Sequence, residues 1–245
     1  MRGLAAAVRF LTILPLPGRL GTEAGDLAAA AVWFPVVGAL LGAVSAGWAW
    51  VAYRLAPAPL AAVLVTVGLL AVSKGLHLDG LADTADALLS SRTRERMLEI
   101  MKDSHVGVMG VAAVVLLLAL KITALGGLSP ERAVRAAFLM PVAGRCAMLM
   151  LMGVLPYARP EGGLGGFFGM GRRPLLAVWG IVALAAAGAL VAGTTGLVAA
   201  GVTVLLAALL CWELRRVLGG ATGDTVGASC ELAEVIPALV AAVWR

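Results

Sequence analysis

From Pro174 to Trp212 the chain runs 39 residues without one charged side chain. A helix needs about 20 apolar residues to cross a bilayer. This stretch therefore holds two crossings, with a break expected near Gly193-Thr194-Thr195-Gly196. The segments 27–53 and 55–73 are uncharged as well. Only 13% of the residues are charged, against roughly 25% in soluble domains. The sequence specifies an all-α, polytopic integral membrane bundle, one domain over residues 1–245. About seven spans are expected, at 27–53, 57–74, 107–125, 132–155, 174–192, 197–213 and 227–244. At the N-terminus Arg2 and Arg9 border an apolar run that holds Pro15 and Pro17. No small-residue cleavage site follows it, so residues 4–14 are predicted as a short interfacial helix rather than a removed signal peptide.

The charge distribution reports topology. The net charge of +5 comes from basic residues scattered between apolar spans. They form no stripe with aromatics, which excludes a nucleic-acid surface. With the N-terminus in the cytoplasm, 13 of the 19 Lys and Arg fall on that side, as inside-positive loops do. The loops 75–106, 156–173 and 214–226 then share the cytoplasmic face and hold most of the polar chemistry. Cys146, Cys211 and Cys230 are odd in number and match no metal spacing. They read as small buried hydrophobes, with no disulfide framework.

In Gly75-Leu76-His77-Leu78-Asp79-Gly80-Leu81-Ala82-Asp83-Thr84-Ala85-Asp86, three aspartates fall at i, i+4 and i+7. On a helix these offsets set Asp79, Asp83 and Asp86 on one face. Crowded like charges need a counter-cation or shared protons, and carboxylate oxygens suit hard cations such as Mg²⁺. A cap or macrodipole role explains one acid at a helix start, but not three on one face.

A second constellation is Gly219-Gly220-Ala221-Thr222-Gly223-Asp224-Thr225-Val226-Gly227, just before the last span. Glycines at a helix N-terminus expose N–H groups, so Gly220, Thr222, Gly223 and Asp224 read as a phosphate site. Arg215 and Arg216 supply positive charge for a pyrophosphate. Asp224 either joins that site or caps the helix. Residues 92–102 read as an amphipathic helix on the membrane surface, with Lys102 and Asp103 closing it as part of a substrate site. His77 and His105 are the two histidines, each a general base or a plain hydrogen-bonding residue. Glu231 and Glu234 lie one turn apart in the last span and face a polar cavity or snorkel to the interface. Lys121 and Arg145 sit in apolar helices and need partners, either acids across the bundle or substrate. Gly162 to Gly166 read as a mobile lid or a turn.

These elements together resemble the cobalamin synthase family, the adenosylcobinamide-GDP ribazoletransferases. The matching residues are Phe10-Leu11-Thr12 with Leu14-Pro15 and Pro17, Phe34-Pro35 with Gly38 and Gly42, and Gly75 through Thr84. Further matches are Arg96 through Ser104, Tyr157-Ala158-Arg159 with Glu161-Gly162, and Leu218-Gly219-Gly220 with Thr222 through Thr225 and Gly227. The pattern departs at His105, where an arginine is usual, and at Ala221, where a longer polar residue often stands.

The resemblance implies a Mg²⁺-dependent phosphotransferase in a bacterial cytoplasmic (inner) membrane, its active site facing the cytoplasm. The 5′ oxygen of α-ribazole, or of α-ribazole 5′-phosphate, is then expected to attack the cobinamide-bearing phosphorus of adenosylcobinamide-GDP. GMP leaves, and adenosylcobalamin or its 5′-phosphate forms. On this reading Asp79, Asp83, Asp86 and Asp224 hold the metal, and one of the carboxylates takes the acceptor's proton. Two other readings stand beside it. One is a lipid synthase like the CDP-alcohol phosphotransferases. The other is a transporter using the aspartates as an ion site, although transporters set such groups near mid-membrane. The oligomeric state leaves no mark in the sequence.

Overall fold

The computed structural model describes residues 1–16, 18–159, 170 and 173–244. The expected lid at 162–166 lies outside them. The described helices are α1 (Arg2–Leu11), α2 (Ala24–Ala30), α3 (Phe34–Leu55), α4 (Ala58–Val72), α5 (Leu76–Leu88) and α6 (Arg94–Ile100). They continue as α7 (Val108–Gly126), α8 (Pro130–Val154), α9 (Pro174–Val217), α10 (Gly223–Glu234) and α11 (Ile236–Val243).

Against the seven spans expected, five helical segments among the described residues are long and apolar enough to cross a membrane, or six when the bent pair α4–α5 counts as one. The expected break in the longest apolar run is present. Gly193 adopts φ 56° and ψ −129° inside α9, a conformation open to glycine. Gly188 and Gly196 then pack backbone to backbone, where a Cβ on either would strike the other's carbonyl. On a straight helix they would stand about 12 Å apart, so α9 folds back on itself. The last apolar run is broken too. Pro237 follows α10 and cannot donate a hydrogen bond to Ala233, so the chain restarts as α11.

The bundle is organised around α8, which is buried along nearly its whole length. Small residues let its neighbours approach. Gly38 and Gly42 of α3 meet the α8 backbone, Gly180 of α9 meets Cys146, and Gly144 meets Cys230 of α10. Close packing of this kind holds helices together where lipid gives no hydrophobic drive. Outward, Leu116, Leu190 and Leu205 are exposed, as lipid-facing side chains are.

Two local features position the site. Between α4 and α5 the chain turns by 93° through Lys74 (φ 57°) and Gly75 (φ 65°). The apolar arm α4 stays with the bundle, and the polar arm α5 turns out of the spanning helices. At the N-terminus, α1 packs Ala6, Ala7 and Leu11 into the protein. Arg9 turns back on its own chain. Its guanidinium donates to the carbonyls of Leu16 (2.7 Å), Gly18 (2.6 Å) and Leu20 (2.9 Å) and ties down the following loop.

Candidate active site

Helices α5 and α10 cross where glycines allow their backbones to touch. A Cβ on Gly80 would lie 2.7 Å from the Asp224 carbonyl oxygen, and one on Gly227 would lie 3.4 Å from the His77 Cα. This contact brings Asp79 and Asp83 beside Asp224 from distant parts of the chain. The crowding is electrostatic as well as geometric. Burial first, and then the charges of Asp79, Asp224 and Asp86, push the Asp83 pKa up to about 6.

Asp224 does not cap α10. The cap is Thr222, whose hydroxyl accepts from the Thr225 N–H (3.2 Å) while Thr225 Oγ1 accepts from the Thr222 N–H (2.8 Å). The Asp224 carboxylate instead accepts from Arg159 Nη2 (2.7 Å) and from the Thr222 hydroxyl (3.2 Å). Arg159 is brought there by its own loop. The Ala221 N–H donates to the Pro156 carbonyl and the Ala158 N–H to the Ala221 carbonyl, both at 2.9 Å. Gly220 is required at this junction, because a Cβ would strike the Pro156 carbonyl. From α6, Arg94 donates to the Leu218 carbonyl (2.7 Å) and the Ala158 carbonyl (3.0 Å), which ties the three loops together.

The remaining expected site residues divide. Asp86 shares the α5 face, but its two oxygens accept from the N–H groups of Gly107 (2.6 Å) and Gly110 (2.8 Å) at the start of α7. His77 is buried, and neither ring nitrogen has a hydrogen-bond partner among the described residues. Burial, and then the Arg145 charge, lower its pKa to about 3, so the ring is neutral at working pH and a weak base. Asp103 turns to His105, accepting from its N–H (3.0 Å) and pairing with Nδ1 at 2.6 Å. That hydrogen bond holds the Asp103 carboxyl below its ordinary pKa. Lys102 next to it is exposed. Arg215 and Arg216 are exposed too, and Arg216 is occupied on its own helix, paired with Glu213 at 2.9 Å and lying over the Trp212 ring.

Asp79 borders two hollows. One is a cavity of about 120 Å³ lined by Phe10, Phe34, His77, Met148, Met152, Gly223 and Asp224 among others. The other is a cleft of about 830 Å³ between α5, the α4–α5 turn, α1 and α7, bordered by Arg9 and Lys74. Sequence reasoning missed Arg159 and Lys74 as site residues. The signals available were the position of Arg159 in a matched loop and that of Lys74 immediately before the aspartate motif.

Among the described residues no three Asp, Glu, His or Cys side chains form a group able to hold a metal ion. Mg²⁺ keeps several waters and takes one or two carboxylates plus substrate phosphates. Clustered, oxygen-only donors at an open hollow fit that habit, with Asp79 and Asp224 lining the hollow.

The model of the cobalamin-5-phosphate synthase family matches residues 3–242. A protein of Herpetosiphon aurantiacus named adenosylcobinamide-GDP ribazoletransferase is 44% identical over 251 residues, covering 99% of this chain and 96% of its own. Proteins of the same name from Klebsiella pneumoniae and Roseiflexus sp. are 41% and 40% identical. They cover 96% and 95% of this chain, and 97% and 86% of their own. No solved structure matches the chain.

Proposed function

We propose that this chain, which belongs to the cobalamin-5-phosphate synthase family, is an adenosylcobinamide-GDP ribazoletransferase of cobalamin biosynthesis. It is a multi-pass membrane protein and a transferase. The acceptor is α-ribazole or its 5′-phosphate. An acceptor that carries a 5′-phosphate and keeps it in the product attacks through a ribose ring hydroxyl. That oxygen forms a bond to the phosphorus bearing cobinamide. The bridging P–O bond of the diphosphate breaks, GMP leaves with its electron pair, and the hydroxyl proton passes to a carboxylate.

The observation that carries this reading is the backbone contact of Gly80 with Asp224. It sets carboxylates from two helices at the hollows where a diphosphate would enter. We assign Mg²⁺ to this set, with one or two of Asp79, Asp83 and Asp224 as its carboxylate ligands; when bound it would offset the diphosphate charge and stabilise the leaving phosphate. Arg159 holds Asp224 in its orientation. Asp86 braces the start of α7 against the same face.

We place the site end of the bundle in the cytoplasm of a bacterium, in its inner membrane, because 13 of the 19 basic residues gather on that side. A cysteine at the exposed Glu95, in a background without native cysteines, should react with an impermeant thiol reagent only in inside-out vesicles. Labelling from the outer face of intact cells would reverse the topology.

The reaction is tested in proteoliposomes. GMP should appear from adenosylcobinamide-GDP only when α-ribazole and Mg²⁺ are both present, and chelation should stop it. Release of CMP from CDP-diacylglycerol, with no GMP from the corrinoid, would favour the lipid-synthase reading instead.

A further inference from the structure

Helix α5 is a wall shared by two hollows of unlike size and lining. On the α8–α10 side lies the cavity of about 120 Å³. A cavity of about 150 Å³ lined by apolar side chains takes up benzene, so the smaller hollow has room for about one ring of an aromatic base and excludes a corrin macrocycle. Its walls include the rings of Phe10 and Phe34, which stack with centroids 6.3 Å apart, and the thioethers of Met148 and Met152. Both side-chain types make favourable contacts with aromatic rings. One further polar group is set in the wall, two residues before Asp79. This is His77, 2% exposed, with both ring nitrogens unpartnered among the described residues. A buried polar group left unmatched costs about 1–3 kcal/mol, and a neutral imidazole offers one donor and one acceptor. On the α7 side lies the cleft of about 830 Å³, with Val111, Val114 and Val115 along it and Lys74 at its border.

Resting on the reaction assigned above, we propose that the two substrates approach Asp79 from opposite sides of α5. The aromatic base of the acceptor nucleoside enters the methionine-lined cavity with its ring nitrogen toward His77, and the corrinoid of the donor lies in the α7-side cleft. The division follows from size, since the smaller hollow cannot admit the donor. It follows also from chemistry, since the fused aromatic base is the one part of either substrate that matches aromatic and thioether walls with a single buried hydrogen-bonding group. An in-line displacement needs its attacking and leaving oxygens on opposite sides of the phosphorus. The leaving oxygen belongs to GMP, so on this division the GMP half of the donor lies on the side of the phosphorus away from the small cavity, while the corrinoid stays on the phosphorus.

The test is steady-state kinetics on the full chain in proteoliposomes, with each substrate varied in turn. Met148→Phe narrows the small cavity and should raise KM for α-ribazole about tenfold, a loss of about 1.4 kcal/mol, with KM for adenosylcobinamide-GDP within about twofold of the parent. Val114→Phe should do the reverse. His77→Phe should raise KM for α-ribazole, and His77→Gln, which keeps a donor, should recover part of the loss. Equal effects of Met148→Phe on both KM values, or an effect on the donor alone, would overturn the assignment. Free benzimidazole tests it on the unmodified protein. It should inhibit competitively against α-ribazole and not against adenosylcobinamide-GDP. Competition with the donor, or no inhibition at millimolar concentration, would also overturn it. If the unmodified protein releases no GMP from its two substrates, the reaction itself falls and the division with it. A normal parent rate with the wrong KM response removes the division alone.

Discussion

Helix α10 carries two charge clusters, and the protein treats them in opposite ways. Near its C-terminal end, Glu231 and Glu234 are buried and met by cations from two other helices. Lys121 of α7 donates to Glu231 at 2.6 Å and to Glu234 at 3.0 Å, and Arg145 of α8 pairs with Glu234. All four side chains are at most 5% exposed. Two acids face two bases, and no charge is left for a ligand. Near its N-terminal end, Asp224 borders an open hollow with Asp79, and the charges of Asp79, Asp224 and Asp86 bear on Asp83. Among the described residues the ion pair found with that cluster is the one from Arg159. The inner cluster is closed and joins three helices. The outer one keeps more acid than base among the described residues. Embedded charge is thus poor evidence for an ion path here, because the embedded part is the part that neutralises itself.

The largest effect expected from breaking this contrast lies in the closed cluster. Glu234→Gln leaves Arg145 and Lys121 sharing the single charge of Glu231. Removing one partner of a buried ion pair costs about 3–5 kcal/mol, a large share of a domain's stability. The variant should fail to accumulate in membranes, or unfold at much lower temperature in detergent. Removing both members of one pair should be mild, because apolar side chains often replace a buried pair without loss. Lys121→Met with Glu231→Met should therefore accumulate near the parent level and keep transferase activity. An active, stable Glu234→Gln protein would show that the cluster is not the strut described here. An inactive but stable double variant would give it a part in the chemistry.

The open cluster should respond the other way. Asp79→Asn and Asp83→Asn should lower kcat by on the order of 10²–10³, with accumulation and thermal stability near the parent's. Asp224→Asn should lose about as much, and Asp79→Asn with Asp224→Asn should be little worse than either alone, as for residues that act as one unit. Near-normal turnover of either α5 variant at saturating Mg²⁺ would remove the metal assignment.

The sequence showed one cluster better than the other. The spacing of Asp79, Asp83 and Asp86 predicts their common face, because helical periodicity is local. The fold-back of α9 was legible for the same reason, since Gly193 lies at the middle of an apolar run too long for one crossing. Lys121, Arg145, Glu231 and Glu234 could be seen to need partners, yet no local pattern says which acid meets which base. The register of α5 on α10 is set by a glycine contact between distant residues, so the pairing of Asp224 with Arg159 was not legible. At Arg215 and Arg216 the structure adds a local partner to one of the two. Their position before the glycine-rich turn suggested a pyrophosphate contact, but Arg216 is occupied by Glu213 and Trp212 on its own helix.

A smaller effect is expected at Arg159. It acts on the site through Asp224, in the way an outer residue orients a ligand. Losing such a partner typically costs 10–100-fold. Arg159→Met should fall in that range with apparent Mg²⁺ affinity weakened, while Arg159→Lys, which keeps the charge, should recover part of it. An unchanged Mg²⁺ dependence in Arg159→Met would detach Arg159 from the metal set.

The smallest effect is expected at Asp86, where the contrast between closed and open charge runs through one helix face. Its spacing groups it with Asp79 and Asp83, and its hydrogen bonds group it with the start of α7. Both oxygens accept backbone N–H groups, from Gly107 and Gly110, and both glycines pack so closely that a Cβ would strike the carboxylate. A carboxylate at a helix N-terminus contributes about 1 kcal/mol through capping and the macrodipole. Asp86→Asn keeps one acceptor oxygen and loses the charge. It should lower stability by about that amount and reduce kcat only a few-fold, far less than Asp79→Asn. Gly110→Ala should disturb the same joint sterically and leave the charge in place. If the two variants share a mild loss of stability with activity retained, Asp86 is a brace for α7. If Asp86→Asn is as inactive as Asp79→Asn and its Mg²⁺ dependence moves with it, the open cluster has four carboxylates in the metal set instead of three.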